Sequence, residues 1–126
     1  MITNAYPVQI KSMAPQLPVA NLERSLAFYE TYLGFKMSFY YEDFYAGITN
    51  GVHQLHLKLT DADIAHKSPE DIDLTFSVTA IRPFFEYVSA AGVTITQSLR
   101  EMPYGTEFYI ADPDGHILAI LEEKQV

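Results

Sequence analysis

The sequence predicts an α+β fold that contains two copies of one strand–helix–strand–strand–strand unit. Each of two helix signals follows a short strand that ends in valine, and three strand signals follow each helix. Three pairs of matching features lie 58 or 59 residues apart in the chain: Val19 and Val78, Leu22 and Ile81, and Gly34 and Gly92. Such constant spacing is typical of an internal repeat. We therefore expect one domain over residues 1–126, with repeat 1 at about 12–60 and repeat 2 at about 70–124.

The first helix is predicted to begin after Asn21 and to end before Gly34. Asparagine is a good N-cap, and a glycine just past the last turn ends many helices in the left-handed conformation. Four apolar residues recur at helical spacing and form one stripe, which consists of Leu22, Leu26, Tyr29 and Leu33. The second helix is predicted from about Thr79 to Ala91, with Thr79 as its cap and Gly92 after its end.

Strand signals fill the rest of both repeats. In repeat 1 they cover Gln16–Val19, Phe35–Tyr41, Phe44–Thr49 and Val52–Leu59, and in repeat 2 they cover Leu74–Val78, Val93–Gln97, Thr106–Ala111 and His116–Glu122. The pair Asn50-Gly51 joins the last two strands of repeat 1 and is a strong hairpin signal. The corresponding turn of repeat 2 is Asp112-Pro113-Asp114-Gly115, to which we also assign His116. The polar stretch from Thr60 to Asp71 is predicted to be a linker.

Composition and charge exclude several classes of function. The chain has 126 residues and a net charge of −8, and its eight Lys and Arg residues are scattered. Nucleic acids and anionic membranes are therefore not expected partners. The absence of cysteine excludes thiolate nucleophiles and cysteine-ligated zinc. No apolar run reaches the roughly 20 residues of a membrane span, and the N-terminus lacks the features of a signal peptide, so we expect a cytoplasmic protein.

The segments Leu17–Tyr29, Leu33–Phe35 and Asp112–His116 together resemble the vicinal oxygen chelate superfamily, which comprises glyoxalases, extradiol dioxygenases and the bleomycin- and fosfomycin-resistance proteins. The resemblance extends from about Ala14 to Glu123. These signatures mark the start of a helix, the end of a helix and a hairpin turn, so they indicate the fold more than the function. The resemblance implies two cupped mixed sheets with the helices outside, a ligand cavity inside, and a homodimer.

Strand alternation assigns side chains to the two faces of each sheet. In the last strand of repeat 1 two sets of three residues alternate, with Leu55, Leu57 and Leu59 towards the helices and Gln54, His56 and Lys58 into the cup. In repeat 2, Glu107 and Tyr109 lie opposite Phe108 and Ile110. His56 is equally compatible with a ligand contact and with a hydrogen-bonded histidine in a half-buried strand.

In metal-dependent members of the superfamily, four cup-facing positions supply the metal ligands. By the resemblance, these positions here are Ala14, Gln54, Asp73 and Ala119. Alanine cannot bind a metal, and one Gln with one Asp is a poor ligand set for a catalytic ion. We therefore expect neither a metal nor another cofactor. A register shift of two residues offers Gln16, His56 and Asp73 as an alternative set, although the last strand adds no ligand on that face.

Aromatic residues supply the positive signal for binding. Six of them fall within eleven residues, namely Phe35, Phe39, Tyr40, Tyr41, Phe44 and Tyr45, and repeat 2 adds Tyr104, Phe108 and Tyr109. Aromatic faces that line a cleft stack on planar ligands and attract cations. Four acidic residues would strengthen the attraction of cations: Glu42, Asp43, Asp73 and Glu107. The same rings could instead pack in the core or at a dimer interface.

These features favour a metal-independent protein that binds and sequesters a planar, neutral or cationic, antibiotic-like compound, as the resemblance to bleomycin-resistance proteins implies. The predicted binding residues are Tyr41, Tyr45, Gln54, His56, Asp73, Glu107 and Tyr109, and no catalytic residue is predicted. The first alternative is a metal-dependent lyase or dioxygenase of the glyoxalase type with a displaced metal site. The second alternative is a degenerate module that serves assembly and presents its aromatic strand to a protein partner.

Overall fold

The computed structural model describes residues 4–64 and 68–125, and each half of the chain forms a strand, a helix and three further strands. Module 1 comprises β1 (Gln16–Val19), α1 (Leu22–Leu33), β2 (Lys36–Tyr41), β3 (Tyr45–Asn50) and β4 (His53–Leu59). Module 2 comprises β5 (Leu74–Ser77), α2 (Ile81–Ala90), β6 (Ile95–Met102), β7 (Gly105–Ala111) and β8 (Ile117–Glu123). This order confirms the predicted α+β fold of two βαβββ units. The predicted linker lies between β4 and β5, and its residues 65–67 fall outside the described residues.

Each module contributes one four-stranded mixed sheet. The strand order is β1-β4-β3-β2 in module 1 and β5-β8-β7-β6 in module 2. In both sheets the first strand runs parallel to its neighbour, and the other pairs are antiparallel. The identical order confirms the internal repeat. None of the helices in the described part of the chain is long and apolar enough to cross a membrane.

The first predicted helix is confirmed at both ends. Asn21 precedes α1 in an extended conformation, and its side chain accepts a hydrogen bond from the Arg24 amide (2.9 Å). Gly34 follows α1 with a φ of 68°, a conformation that favours glycine over residues with a side chain. The Asn50 side-chain amide donates to the Leu33 carbonyl oxygen (2.9 Å) and so adds a cap from the neighbouring hairpin.

The hairpin predicted at Asn50-Gly51 forms, but its loop is displaced by one residue. Asn50 still pairs with His53, so the two loop residues are Gly51 and Val52. Gly51 has a φ of 60°, which glycine adopts without steric cost. The side chain of Asn50 is therefore free to contact α1 while its backbone stays in the ladder.

The prediction that Thr79 caps the second helix is wrong. Helix α2 begins at Ile81 and follows Ala80, which has a φ of 52° and makes no side-chain capping hydrogen bond. The Glu122 carboxylate of β8 accepts the hydrogen bond of the Ile81 amide instead (3.0 Å). A side chain that is distant in the sequence thus replaces the local cap. Gly92 has a φ of 83° just past the end of α2, as predicted.

The helices and one face of each sheet share a single hydrophobic core. Its largest fully buried side chains come from both modules and include Tyr29, Leu55, Leu57, Phe108, Ile110, Leu118 and Ile120. The rings of Phe35 and Phe76 meet edge to face across the module boundary, with centroids 6.1 Å apart. The predicted burial of Leu55 and Leu57 is confirmed, whereas Leu59 is 36% exposed. We name the face of each sheet that points away from this core its cup side.

The β7–β8 turn connects module 2 to the helix of module 1. Its first residue, Asp112, shapes the turn by accepting hydrogen bonds from the amides of Asp114 and His116 (both 2.9 Å). The second carboxylate oxygen of Asp112 accepts a hydrogen bond from the Tyr29 hydroxyl of α1 (2.7 Å). Both side chains are buried, and burial raises the pKa of each. This hydrogen bond between the modules is therefore shielded from water.

Asp114 makes further contacts with module 1. One of its carboxylate oxygens accepts hydrogen bonds from the Ala20 amide and the Arg24 guanidinium (both 3.0 Å). The other oxygen accepts a hydrogen bond from the Ser25 hydroxyl (3.3 Å). We name the contacts of Asp112 and Asp114 with module 1 the inter-module clamp.

His116 adds another contact between the modules. It is buried, and its Nε2 donates to the Pro18 carbonyl oxygen (2.7 Å). Its Nδ1 lies 3.9 Å from the Asp73 carboxylate, which accepts a hydrogen bond from the Ile117 amide (2.9 Å). The residue that the sequence assigned to the turn alone thus also contacts β1.

We predict that Tyr29→Phe lowers the free energy of unfolding by about 1–2 kcal/mol, because it removes a buried hydrogen bond to a carboxylate while keeping the ring. Denaturant unfolding followed by circular dichroism measures the change. Tyr87→Phe is the matched control, since Tyr87 is 50% exposed on α2. Equal unfolding midpoints for Tyr29→Phe and the unmodified protein would show that the hydrogen bond between Tyr29 and Asp112 contributes nothing to stability.

Candidate functional site

The cup side of the module 1 sheet is organised around the hydroxyl group of Tyr45. Gln16, Tyr45 and His56 lie on the neighbouring strands β1, β3 and β4. The Tyr45 hydroxyl accepts a hydrogen bond from the Gln16 side-chain amide (3.0 Å) and contacts Nδ1 of His56 (2.9 Å). The hydroxyl carries one proton and two lone pairs, so its contact with Nδ1 can run in either direction, according to the tautomer of His56. His56 is therefore hydrogen-bonded, and its ring remains half-buried.

Phe39 adds a ring platform to this cluster. Its ring stacks on the ring of Tyr45, with centroids 6.2 Å apart and planes 20° apart, and meets the His56 ring edge to face at 5.3 Å. Gly47 lies beneath the ring, since a Cβ added there would overlap Phe39. Phe39 is 42% exposed, so part of its aromatic surface faces solvent. A flat molecule could stack on such a surface.

The other predicted binding residues of module 1 lie on the same cup side. Tyr41 pairs with Tyr45 in the strand register and is 60% exposed. Gln54 alternates with buried Leu55 and is half-buried. The charged side chain next to Tyr45 in the register is Lys58, which is exposed. We name the following set the aromatic face: Phe39, Tyr41, Tyr45, Gln54 and His56.

The cup side of the module 2 sheet holds a hydrogen-bond network around Glu107, which is 4% exposed. One carboxylate oxygen accepts a hydrogen bond from the Tyr104 hydroxyl (2.6 Å). The other accepts hydrogen bonds from Nε of Arg100 (2.8 Å) and from the Tyr109 hydroxyl (3.2 Å). The Arg100 guanidinium also lies over the Tyr109 ring, 5.5 Å from its centroid. Arg100 therefore compensates the charge of Glu107 within the protein.

Two opposing effects set the pKa of Glu107. Burial alone would raise it, but the hydrogen bonds from Tyr104, Arg100 and Tyr109 outweigh burial and lower the pKa below its usual value. The hydrogen bond to Glu107 raises the pKa of Tyr104 in return. Glu107 thus stays ionised near neutral pH, and its three side-chain hydrogen-bond donors all come from the hairpin that β6 and β7 form. The sequence analysis expected Glu107 to attract a cationic ligand. In the structure the guanidinium of Arg100 already balances the charge of this carboxylate, so Glu107 offers a cation little net attraction.

Arg100 is the member of the Glu107 network that the sequence analysis did not predict. The pairing of β6 with β7 shifts twice, between Ile95 and Gln97 and between Gln97 and Arg100. Gln97 pairs with Tyr109 and Arg100 pairs with Glu107, although strict alternation would place residues 97 and 100 on opposite faces. No pattern in the sequence marks these bulges.

The structure places six of the seven predicted binding residues in two separate groups and the seventh apart from both. Tyr41, Tyr45, Gln54 and His56 belong to the module 1 sheet, Glu107 and Tyr109 belong to β7, and Asp73 precedes β5. Within residues 4–64 and 68–125, no hydrogen bond, ion pair or ring contact joins the first four to Glu107 or Tyr109. The sequence analysis expected these residues to line one acidic, aromatic cleft. In the structure they lie on two surfaces, one in each module, and no described contact joins the predicted residues of one surface to those of the other.

The residues at the family's four metal positions do not fit a metal ion. Two of them are Ala14 and Ala119, which have no donor atom in their side chains. The carboxylate of the third, Asp73, already accepts the Ile117 amide. In the part of the chain that the structure describes, no three His, Asp or Glu side chains are grouped as a metal would require.

The shifted metal set also lacks support. Gln16 and Nδ1 of His56 are both engaged with the Tyr45 hydroxyl, while Asp73 lies beside His116 and the Ile117 amide. These contacts satisfy the three side chains in two different places.

Two larger cavities lie away from these surfaces. One, of about 1380 Å³, is bordered by residues 59–64 and 111–115, and the other, of about 770 Å³, lies where the two modules meet. None of the seven predicted binding residues lines either cavity.

The chain belongs to the glyoxalase/bleomycin resistance protein/dioxygenase superfamily, whose sequence model matches residues 9–120. This match and the two four-stranded mixed sheets confirm the resemblance found in the sequence. No protein of curated function matches the sequence.

Three solved structures share this fold at identities of 16–22%. TioX from Micromonospora sp. ML1 has a TM-score of 0.73 and 16% identity, with 90% of this chain and 99% of that chain covered. A glyoxalase/bleomycin resistance protein/dioxygenase from Alicyclobacillus acidocaldarius has a TM-score of 0.74 and 18% identity, with 91% and 92% covered. The bleomycin-binding protein of Streptomyces verticillus, complexed with copper(II)-bleomycin, has a TM-score of 0.69 and 22% identity, with 93% and 99% covered. At such identities the likeness concerns the fold alone.

We predict that Glu107→Gln lowers the free energy of unfolding by about 1–2 kcal/mol near neutral pH, because it removes charge-assisted hydrogen bonds. The folded-state pKa of Glu107 is lowered, so its contribution is complete above the usual value of 4.5 and is lost as pH falls through the folded pKa. The difference between the two proteins should therefore shrink in acid. Denaturant unfolding at a series of pH values measures it, and a difference that grows in acid would contradict the assignment.

We predict that Gly47→Ala displaces the Phe39 ring from Tyr45 and His56, since the added methyl group would occupy the position of the ring. The cost in stability is small, less than about 1 kcal/mol, because an exposed ring at a strand edge can rotate away. The proton resonances of the His56 imidazole in the NMR spectrum report the loss of the ring. Phe39→Leu gives the reference shift without a ring, and His56 resonances unaltered by Gly47→Ala would refute the prediction.

Proposed function

We propose that this protein binds and sequesters a planar, antibiotic-like small molecule without a metal ion, and that it does so as a homodimer. The observation that carries the proposal is the aromatic face. Hydrogen bonds hold Tyr45 and His56, the ring of Phe39 packs against both, and part of this surface reaches solvent. A pre-ordered aromatic surface lowers the entropic cost of stacking a flat ligand. The unsuitable side chains at the four metal positions support a role that needs no metal.

The charges on the two cup sides favour a neutral ligand over a strongly charged one. Lys58 adjoins Tyr45 in the register, and Arg100 is paired with Glu107. Of the acidic residues that could attract a cation, Glu42 and Asp43 remain exposed, in the turn between β2 and β3. A cationic ligand would therefore depend on these two side chains.

A second copy of this chain is the partner that we propose for strand β2. This strand lies at the edge of its sheet, and all six of its residues are exposed. Four of the six are large apolar or aromatic residues: Met37, Phe39, Tyr40 and Tyr41. An edge strand with this composition would aggregate unless another surface covered it. A twofold symmetric pairing would cover it on both chains and give each ligand a second wall.

Among the structural neighbours, the protein of Streptomyces verticillus was solved with copper(II)-bleomycin. This neighbour is an example of the fold with a bound small molecule, and in the present chain the aromatic face supports such a ligand. The metal-dependent lyase or dioxygenase has no comparable support, because no suitable donor set is assembled among the described residues.

The proposal is tested by calorimetric titration of chelator-treated protein with flat compounds: acridine, 9-aminoacridine and metal-free bleomycin. We expect at least one compound to bind and Phe39→Ala to weaken that binding by roughly two- to tenfold, since it removes an aromatic contact. Tyr6→Ala is the control, because Tyr6 is 84% exposed and lies outside both sheets. Analytical ultracentrifugation of the same samples measures the oligomeric state.

Three outcomes would count against the proposal. If none of the compounds binds, the proposal that the protein sequesters flat molecules is wrong. Binding that appears only after a metal is added would favour the enzyme alternative. Equal affinity of Phe39→Ala and the unmodified protein would remove the aromatic face as the site. If the protein is a monomer and binds a compound with full affinity, the proposed role of a second chain in binding is wrong.

A further inference from the structure

The two modules differ in the turn that joins the last two strands of each sheet. The β7–β8 turn has five residues, Asp112 to His116, and forms the inter-module clamp on α1. The corresponding β3–β4 turn has two, Gly51 and Val52, and neither is acidic. In the described chain, no hydrogen bond connects this short turn to α2, whose first amide is bonded to Glu122 instead. The last hairpin turn of module 2 thus binds the helix of the opposite module by hydrogen bonds, and the described part of the corresponding turn in module 1 does not.

A cavity lies at the place where the second clamp is missing. It has a volume of about 770 Å³, and Thr79 and Phe84 at the start of α2 form part of its wall. These two residues follow Ala20 and Ser25 by 59 positions in the repeat, and Asp114 contacts Ala20 and Ser25 in the clamp. The short turn of module 1 makes no corresponding contact with the start of α2 and leaves this space open, whereas the long turn of module 2 contacts the start of α1 and borders the cavity of about 1380 Å³. Pockets for small ligands have volumes of about 300–1,000 Å³, so this space is of suitable size.

Aromatic rings line the cavity from both modules. Tyr32 and Phe35 come from module 1, and Phe76 and Phe84 come from module 2. Phe35 and Phe76 meet edge to face, which fixes the orientation of both rings. Phe35 is buried, whereas the other three rings are partly exposed. The cavity therefore offers aromatic walls to a ligand that contains a flat ring.

The charged groups that line the cavity are acidic. Glu122 and Glu123 lie on its wall, and no Lys or Arg among residues 4–64 and 68–125 does so. Glu122 uses one carboxylate oxygen, Oε1, to accept the Ile81 amide, and Glu123 uses its Oε1 to accept the Ser77 hydroxyl (both 3.0 Å). Each carboxylate thus keeps its second oxygen for another donor. Two fixed carboxylates beside aromatic rings suit a cation that carries N–H groups.

We propose that this cavity at the module boundary is a second ligand site, for a protonated aromatic amine. The flat part of the ligand lies against Phe76 and Phe84, and its ammonium or amidinium group contacts Glu122 and Glu123. The site shares no residue with the aromatic face, so it does not depend on the function proposed for the cup sides.

Histidine resonances in the NMR spectrum distinguish the two sites. His53 lines the cavity, whereas His56 belongs to the aromatic face. The titrants are 9-aminoacridine, which is a flat cation at neutral pH, and acridine, which is its neutral counterpart. We expect 9-aminoacridine to shift the His53 resonances in a saturable manner and acridine to shift them weakly or not at all. His53→Gln and His56→Gln assign the signals.

The double variant Glu122→Gln/Glu123→Gln tests the carboxylates. Glutamine keeps an oxygen that can accept from Ile81 and Ser77 but removes both charges. We expect roughly fivefold weaker binding of 9-aminoacridine at His53, the size expected for two partly exposed ion pairs. The matched control is Glu23→Gln/Glu30→Gln, which makes the same change of net charge on exposed positions of α1. Far-ultraviolet circular dichroism verifies that both variants remain folded.

Each outcome separates this site from the aromatic face. If both double variants weaken the binding detected at His53 equally, the net charge of the protein explains the loss and the proposal is overturned. A shift of His56 without a shift of His53 would also overturn it, while it would support ligand binding at the aromatic face. A shift of His53 alone, sensitive only to Glu122 and Glu123, would support this site whether or not the aromatic face binds anything.

Discussion

The contacts of Asp112 and Asp114 with α1 are the constraint on which the rest of the structure depends. The hydrophobic core spans both modules, but apolar contact is not directional and does not by itself specify one orientation. The clamp adds directional bonds in a buried setting, where an unmade bond is costly. Because Asp112 shapes its own turn with one oxygen and binds Tyr29 with the other, the hairpin and the packing of the modules cannot change independently. The relative position of the two cup sides follows from this coupling.

The fold could be predicted because most of its determinants are local. Asn21 and Gly34 delimit α1 through backbone conformations that they favour, and alternation sorts Leu55 and Leu57 towards the core. The cap of α2 could not be predicted in this way. Its acceptor, Glu122, lies 41 residues from Ile81, and only the packing of β8 beside α2 brings the two together. The residues around the start of α2 hold no information about a capping side chain that comes from a distant strand.

For the candidate site, alternation predicted which residues lie on a cup side but not what they contact. Tyr45 and His56 are on the expected face and bonded to each other. Glu107 is also on the expected face, but its ion pair with Arg100 balances the negative charge that was expected to attract a cationic ligand. The shifts in the register of β6 bring Arg100 there, and they depend on how two strands meet and not on either strand alone. The net charge at a site thus depends on which charged side chains pair with each other, and the sequence alone does not show this pairing.

The hydrogen bonds through Tyr45 have one end of fixed direction and one that can reverse. The Gln16 side-chain nitrogen only donates to the Tyr45 hydroxyl, whereas the contact between that hydroxyl and Nδ1 of His56 runs either way, according to which imidazole nitrogen carries the proton. When Nδ1 accepts, Nε2 of a neutral His56 is a donor. When Nδ1 donates, Nε2 is an acceptor, and the Tyr45 hydroxyl keeps its own proton for another group. The same three side chains can therefore offer a ligand either polarity at Nε2 through the transfer of protons, without a change in the sheet.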